Sequence, residues 1–353
     1  MKTVHKSVLL KEVIDCLDLK PGDNVVDCTL GGGGHSLAVL DKIGPEGKLL
    51  AIDEDREAIK RFELKVKDEK LKNKGRITLV NNNFRNLKNI INEQRFCYPI
   101  SAILLDLGLS SDQLDVSGGG FTFQKEENLD MRFGGYTEKC GQRDQPRTKV
   151  RDTQISAQEI VNKWPQIELE KIFQVYGEDK QASKIAKSVV KARKRKPITT
   201  TSELVEIILQ INNPHLGTRS QGGKYRVNAR RADLREKPEK WLSRESGKIH
   251  PATKVFQALR IAVNDELETL RHVLPRATEL LQDSGPHIRA GRIAVISFHG
   301  LEDRIVKMFF KDQARLGKVN ILTKKPIVPS PTEIKENKRS RSAKLRVAEK
   351  INN

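Results

Sequence analysis

The run Val25-Val26-Asp27-Cys28-Thr29-Leu30-Gly31-Gly32-Gly33-Gly34-His35-Ser36 constrains the fold of this 353-residue chain more than any other segment. An apolar strand pattern passes into four glycines and then into a helix-like segment. Glycine tolerates positive φ and close backbone approach, and the first N–H groups of the following helix have no partner within it. The pattern predicts a strand–loop–helix unit with a nucleotide cofactor at the loop. A second apolar strand, Lys48-Leu49-Leu50-Ala51-Ile52, ends in Asp53-Glu54-Asp55, which places Asp53 to accept hydrogen bonds from the two hydroxyls of a ribose. The glycine run alone also suits a plain tight turn. A dinucleotide fingerprint asks for a third glycine where Ser36 stands, so an NAD-linked oxidoreductase fits imperfectly, and no persuasive hydride-transfer site accompanies it. A ligand with a ribose and no pyrophosphate fits better, and S-adenosylmethionine answers that description.

Strand patterns at 24–28, 48–52, 76–80 and 101–106 alternate with helical patterns at 8–17 and 56–72, as expected of an α/β parallel sheet with helices on both faces. A further strand pattern at 292–298 precedes His299-Gly300 and a helix over 301–310, so the chain returns to the first sheet. Ligands of such sheets bind beyond the carboxyl ends of the strands. The glycine loop, Asp53, Asp106 and residues 297–299 should therefore converge on one crevice. Taken alone, an aspartate after a strand is as readily a helix cap or a turn residue, and His299 is equally a capping histidine.

Residues 1–115 read as the first part of the core. Residues 116–249 hold a glycine-rich loop, an inserted helical domain with a cap expected at Thr201, and a basic insertion at 214–248. Residues 250–353 read as the second part of the core, opening on one long helix from 251 through 270 and a further helix at 277–281, and closing in a basic C-terminal tail. Four scattered cysteines form no C-x-x-C pair, which points to a reduced protein without a cysteine-built zinc site, and no metal constellation stands out. Neither a signal peptide nor a membrane span is visible, so a soluble protein is expected.

The formal net charge is +19, from 65 basic against 46 acidic side chains. Such a chain attracts polyanions. The candidate phosphate contacts are Lys191, Arg193, Lys194, Arg195 and Lys196, then Arg230 and Arg231, then Arg339 and Arg341. Each cluster by itself also suits a solvated face. Together with the global excess they favour nucleic acid, held through phosphate and shape, because aromatic content is only 5%.

Several segments carry a specific resemblance: His5 to Leu10, Thr29 to Ser36, Leu104 to Leu114, Leu129-Asp130-Met131-Arg132, Tyr176-Gly177-Glu178, His250-Pro251-Ala252-Thr253 with Phe256 to Arg260, and Ile296 to Arg304. In this order they resemble the bacterial small-subunit rRNA cytosine-N4 methyltransferase family, over nearly the whole chain. The chain departs from that pattern at Asp112, Gly300 and Gln181 and in its longer basic insertion.

The resemblance implies a class I Rossmann-like methyltransferase sheet with an inserted α-helical domain. It implies S-adenosylmethionine as cofactor and the exocyclic amine of a cytosine near the decoding site as methyl acceptor. Carried over by position, the cofactor contacts fall on Gly33, Gly34, His35, Asp53, Phe84, Asp106 and Gln113. Phe84 suits an adenine face, although ordinary core packing explains it as well. Asp106 is the leading candidate to hold the target amine or the methionine ammonium, with Asp130, Arg132 and His299 as secondary candidates that orient the base or its phosphate. The implied partner is an assembled or nearly assembled small subunit in the bacterial cytoplasm. An organellar protein, a homodimer and a non-catalytic assembly factor stay compatible with the sequence.

Overall fold

The computed structural model describes residues 7–68, 76–96, 99–109, 118–133, 155–212, 250–285 and 288–351. The chain divides into two compact units, Met1–Asp112 with Asp265–Asn353, and Gln113–Asn264. The first unit opens with α1 (Leu10–Leu17), β1 (Asn24–Asp27), α2 (Gly34–Ile43), β2 (Lys48–Asp53), α3 (Arg56–Asp68) and β3 (Ile77–Asn81). A single 3₁₀ turn at Phe84–Asn86 leads into α4 (Leu87–Glu93) and β4 (Ala102–Asp106). The second unit holds α5 (Ala157–Lys163), α6 (Gln166–Val175), α7 (Ala182–Arg193), α8 (Thr201–Asn212) and α9 (Ala252–Asn264). The chain then returns to the first unit through α10 (Glu266–Leu280), β5 (Arg292–Ser297), α11 (Gly300–Arg315), β6 (Val319–Ile321), α12 (Pro331–Glu336) and β7 (Lys344–Lys350).

The seven strands lie in the order β3-β2-β1-β4-β5-β7-β6, one mixed sheet covered by helices, the α/β architecture expected. The first five are parallel, and β7 runs antiparallel between β5 and β6. Strand order reverses direction between β1 and β4, which makes their carboxyl ends the topological switch point. The register there sets Asp27 beside Leu104. The strands are continuous apolar runs because both faces are covered. Alternate residues go to opposite sides: Val26, Leu50, Ile103 and Val295 pack with α4, α10 and α11, while Val25, Leu49, Leu104 and Ala294 pack with α1, α2 and α3.

Two expectations for the last part of the chain need correction. The single helix expected from 251 through 270 is two helices, because Asp265 turns left-handed at φ 50° between α9 and α10. The second of them runs to Leu280 with Pro275 inside it. The basic tail folds into β7, whose charged residues hid its strand character. Arg346 is buried 2.6 Å from Asp303, and Glu349 accepts from Arg292 at 2.8 Å, so these charges are paired rather than solvated.

The second unit has its own core, built from Ile160, Leu169, Phe173, Ile185, Val189, Ile208, Val255 and Leu259 with Leu129 and Met131. Ser156 starts α5 with a reciprocal cap to Glu159. The cap expected at Thr201 is supplied one residue earlier: Thr200 Oγ1 accepts from Glu203 N at 3.3 Å, and Glu203 accepts from Thr200 N at 3.2 Å. Thr201 itself is buried and donates to the Lys125 carbonyl at 2.7 Å. The basic insertion at 214–248 lies outside the described residues. Among the described residues no helix is long and apolar enough to cross a membrane.

Candidate active site at the switch point

The glycine loop leaves β1 and enters α2 at Gly34. Gly33 caps the helix at φ 77°. A Cβ on Gly33 would run into the Phe62 ring, and one on Gly34 into the Ser7 hydroxyl. The missing side chains therefore make room for the protein's own packing, a reason different from the ligand approach expected of them. No side chain caps α2. Its leading N–H groups keep the partial positive charge of a helix start.

The acidic end of β2 is held by the loop. Asp53 Oδ2 accepts from Gly31 N at 2.7 Å, and Oδ1 accepts from Asp55 N at 2.7 Å. Each oxygen retains a second lone pair, so a ribose hydroxyl can still be received. Burial pushes the Asp53 carboxyl up to about 6, against the lowering effect of those two N–H donors.

At the end of β4, Asp106 N donates to Thr29 Oγ1 at 2.6 Å, which pins the backbone of the two switch-point strands together. Asp106 Oδ2 lies 3.4 Å from His35 Nδ1, while Asp106 Oδ1 is buried and has no hydrogen-bond partner among the described residues. His35 is only 5% exposed, and its Nε2 lies 3.0 Å from the Val8 carbonyl. A carbonyl only accepts, so Nε2 carries a hydrogen. A neutral ring would then turn the Nδ1 lone pair on the Asp106 carboxylate. The arrangement is complete only with one further proton between Nδ1 and Oδ2. Burial works against a charged ring, yet Asp106, Asp27 and the Val8 carbonyl outweigh it and raise the His35 pKa.

Beneath this pair sits a residue that the reading of the sequence passed over. Asp27 is fully buried, accepts from Ser36 Oγ at 2.7 Å and from Thr29 N at 3.0 Å, and is pushed up in pKa by burial. The signal for it was a carboxylate closing an otherwise apolar strand, nine residues before the serine that replaces the third glycine. Ser297, at the end of neighbouring β5, is also buried with an unpartnered Oγ.

The remaining candidates fall in several places. Phe84 is half-buried in the 3₁₀ turn after β3 and packs on the core beside α10. His299 caps α11: its Nδ1 accepts from Glu302 N at 3.4 Å, and Glu302 Oε2 accepts from Phe298 N at 2.8 Å. Glu266, His299 and Glu302 bring ligand-type atoms within 4.8 Å of one another, but this cap already engages Glu302 and His299. In the second unit, Arg132 grips Asp130 in two hydrogen bonds of 2.6 and 2.9 Å. Gln113 lies outside the described residues, as do Arg230 and Arg231.

Two members of the basic cluster closing α7 have local partners, although Lys196 itself stays exposed. Arg193 donates to the Val161 carbonyl at 2.8 Å, and Lys196 pairs with Glu203 at 2.6 Å. Burial alone would raise Glu203; Lys196 and the N–H groups of Thr199 and Thr200 hold it down to about 2. These two cations thus serve the local fold. Lys191, Lys194 and Arg195 are exposed, as are Arg339 and Arg341 in the turn before β7.

Comparison with known proteins shows the family. The chain is 41% identical over 347 residues to a Persephonella marina protein named ribosomal RNA small subunit methyltransferase H, covering 98% of this chain and 99% of that one. Proteins of the same name from Heliobacterium mobile and Streptococcus mutans are 37% and 38% identical, each over 99% of this chain and 100% and 98% of their own. A family model matches residues 2–351, and the chain belongs to the MraW methylase family.

Proposed function

We propose that the protein transfers a methyl group from S-adenosylmethionine to the exocyclic N4 amine of a cytosine in small-subunit ribosomal RNA. The carrying observation is the Asp106 carboxylate at the switch point, one oxygen facing His35 and the other buried without a partner. A buried orphan acceptor costs about 1–3 kcal/mol, which a bound donor would recover. The residues present fit the cofactor: the uncapped start of α2 for its polar end, Asp53 for ribose hydroxyls, Phe84 for an adenine face, and Asp106 for an ammonium or amine. S-adenosylmethionine supplies an electrophilic methyl group when bound.

A cytosine amine is a weak nucleophile because its lone pair is delocalised into the ring. Asp106 Oδ1, accepting one N4–H, would favour the out-of-plane lone pair that attack requires. His35 beside Oδ2 fixes that oxygen in place, which leaves Oδ1 of Asp106 as the acceptor for the amine. Formation of the N4–methyl bond would go with breaking of the sulfonium carbon–sulfur bond, leave neutral S-adenosylhomocysteine, and put one excess proton on N4. That proton leaves through Asp106 Oδ1 or to solvent, and the product is the neutral N4-methylated base. A base within a folded RNA has to leave its stack to reach Asp106.

The excess of cations suits an RNA substrate, and an assembled small subunit in the cytoplasm is the form proposed here. The test is transfer of labelled methyl groups to undermethylated subunits and to naked rRNA, with the product nucleoside identified by mass spectrometry. N4-methylcytidine formed on subunits and lost in Asp106→Ala is the expected result. Tight cofactor binding with no incorporation would replace this reading with that of a non-catalytic assembly factor.

A further inference from the structure

The outward faces of α10 and α11 enclose a groove of about 310 Å³ lined by Arg271, Leu274, Arg304, Ile305, Met308 and Phe309. Four apolar side chains make most of its lining, and Arg271 and Arg304 complete it. Met308 is 47% exposed, an apolar surface that water disfavours. We propose that this groove holds an unpaired nucleotide of the RNA substrate close to the methylated base, an inference that rests on the function proposed above.

Three observations favour RNA as the occupant. The first is position. Glu266, His299 and Glu302 meet within 4.8 Å, so α10 and α11 start side by side at the carboxyl edge of the sheet. Arg271 and Arg304 each follow five residues after Glu266 and His299, about 7 Å along the helix axis at the usual rise per residue. The groove therefore runs away from the edge where Asp106 and Ser297 end their strands. The second is charge. Arg304, Lys307 and Lys311 are exposed at helical spacing around Met308, and Arg271, His272 and Arg276 face outward from α10. The His272 imidazole is held below its ordinary pKa, by desolvation first and then by the charges of Arg276 and Arg85. The nearby carboxylates Glu268 and Asp312 are paired, with Arg271 at 2.6 Å and Arg315 at 3.5 Å. The third is shape. A narrow apolar floor between cations matches a nucleobase with its flanking phosphates: the ring stacks on side chains and guanidinium planes while the phosphates meet the lysines.

The test combines two measurements on the full-length protein. A benzophenone side chain placed at position 308 is photolysed in complex with small subunits, and the crosslinked species is identified. In parallel, Arg304→Gln with Lys307→Gln is assayed for subunit binding and KM across a salt series. S-adenosylhomocysteine affinity and melting temperature report whether the variant is intact. The expected result is a crosslink to rRNA, a KM for subunits raised about tenfold with unchanged cofactor affinity, and a salt slope reduced by about two. A crosslink to a ribosomal protein alone, or an unchanged KM and salt slope, overturns the proposal. If the benzophenone-bearing protein crosslinks to rRNA yet the wild-type protein transfers no methyl group, the groove stands and the catalytic reading fails.

Discussion

Two aspartates close the strands on either side of β1 at the same sheet edge, and their surroundings differ. Asp53 at the end of β2 has a backbone N–H on each carboxylate oxygen, from Gly31 and Asp55. Asp106 at the end of β4 has a histidine beside one oxygen and, among the described residues, no partner on the other. The first carboxylate is part of the loop that it shapes, so its charge is spent on backbone order and its remaining lone pairs suit hydroxyls. The second is fixed from behind by a side chain, which leaves one face for a group that arrives later. Residues of one type at equivalent strand ends are thus suited to binding in one case and to chemistry in the other.

The largest expected effect comes from removing the charge at β4. Asp106→Asn keeps the shape of the side chain and should lower turnover about 100-fold, the scale of losing one well-placed polar group at a reacting centre. Single-turnover methyl transfer measures this. If cofactor affinity falls by the same factor, Asp106 holds the methionine ammonium rather than the target amine.

Asp53→Asn should act in the opposite way. It weakens S-adenosylhomocysteine binding about 30-fold, near 2 kcal/mol for hydrogen bonds to a charged acceptor, and leaves the saturated rate within a few-fold. Because Asp53 titrates at about 6, the ionised form that accepts ribose hydroxyls fills as pH rises from 5 to 7. Wild-type affinity should climb over that interval, and the variant should respond weakly. Calorimetric titrations at several pH values would show it, and a flat wild-type profile would erase the contrast between the two aspartates.

The smallest effect concerns the residue behind Asp106. His35→Gln keeps an N–H for the Val8 carbonyl but no exchangeable charge, and should lower turnover about tenfold with cofactor affinity retained. The folded pKa of His35 is raised, so its contribution to stability is complete below about pH 6.5 and is lost as pH rises through the folded value. Wild-type turnover and melting temperature should decline together on that alkaline limb, whereas His35→Gln lacks the limb. A limb that survives the substitution would move the titration to another group.

Much of the sheet edge was legible because parallel strands covered on both faces are unbroken apolar runs, and their polar ends are visible as interruptions. The polar ends of β2 and β4 were found in this way. Strand β7 was not, since Lys344, Arg346 and Glu349 give it the composition of a solvated tail until Asp303 and Arg292 are placed against it. The break at Asp265 was hidden as well, because its apolar flanks continue a helical pattern across it. Charge clusters were legible only as composition: Arg193 and Lys196 look like their neighbours in sequence but point at Val161 and Glu203.

Sequence alone determined the five parallel strands, the glycine loop, and the two acidic strand ends, because these follow from local hydrophobic periodicity and backbone permissiveness. Only the tertiary structure decided what each residue there does. Gly33 and Gly34 are glycines on account of Phe62 and Ser7, His35 reaches from α2 to Asp106 across 71 positions of sequence, and Asp27 ties Ser36 to Thr29 beneath them. Hydrogen-bond direction and burial are set by partners distant in the chain, and no local pattern encodes which lone pair will be left without one.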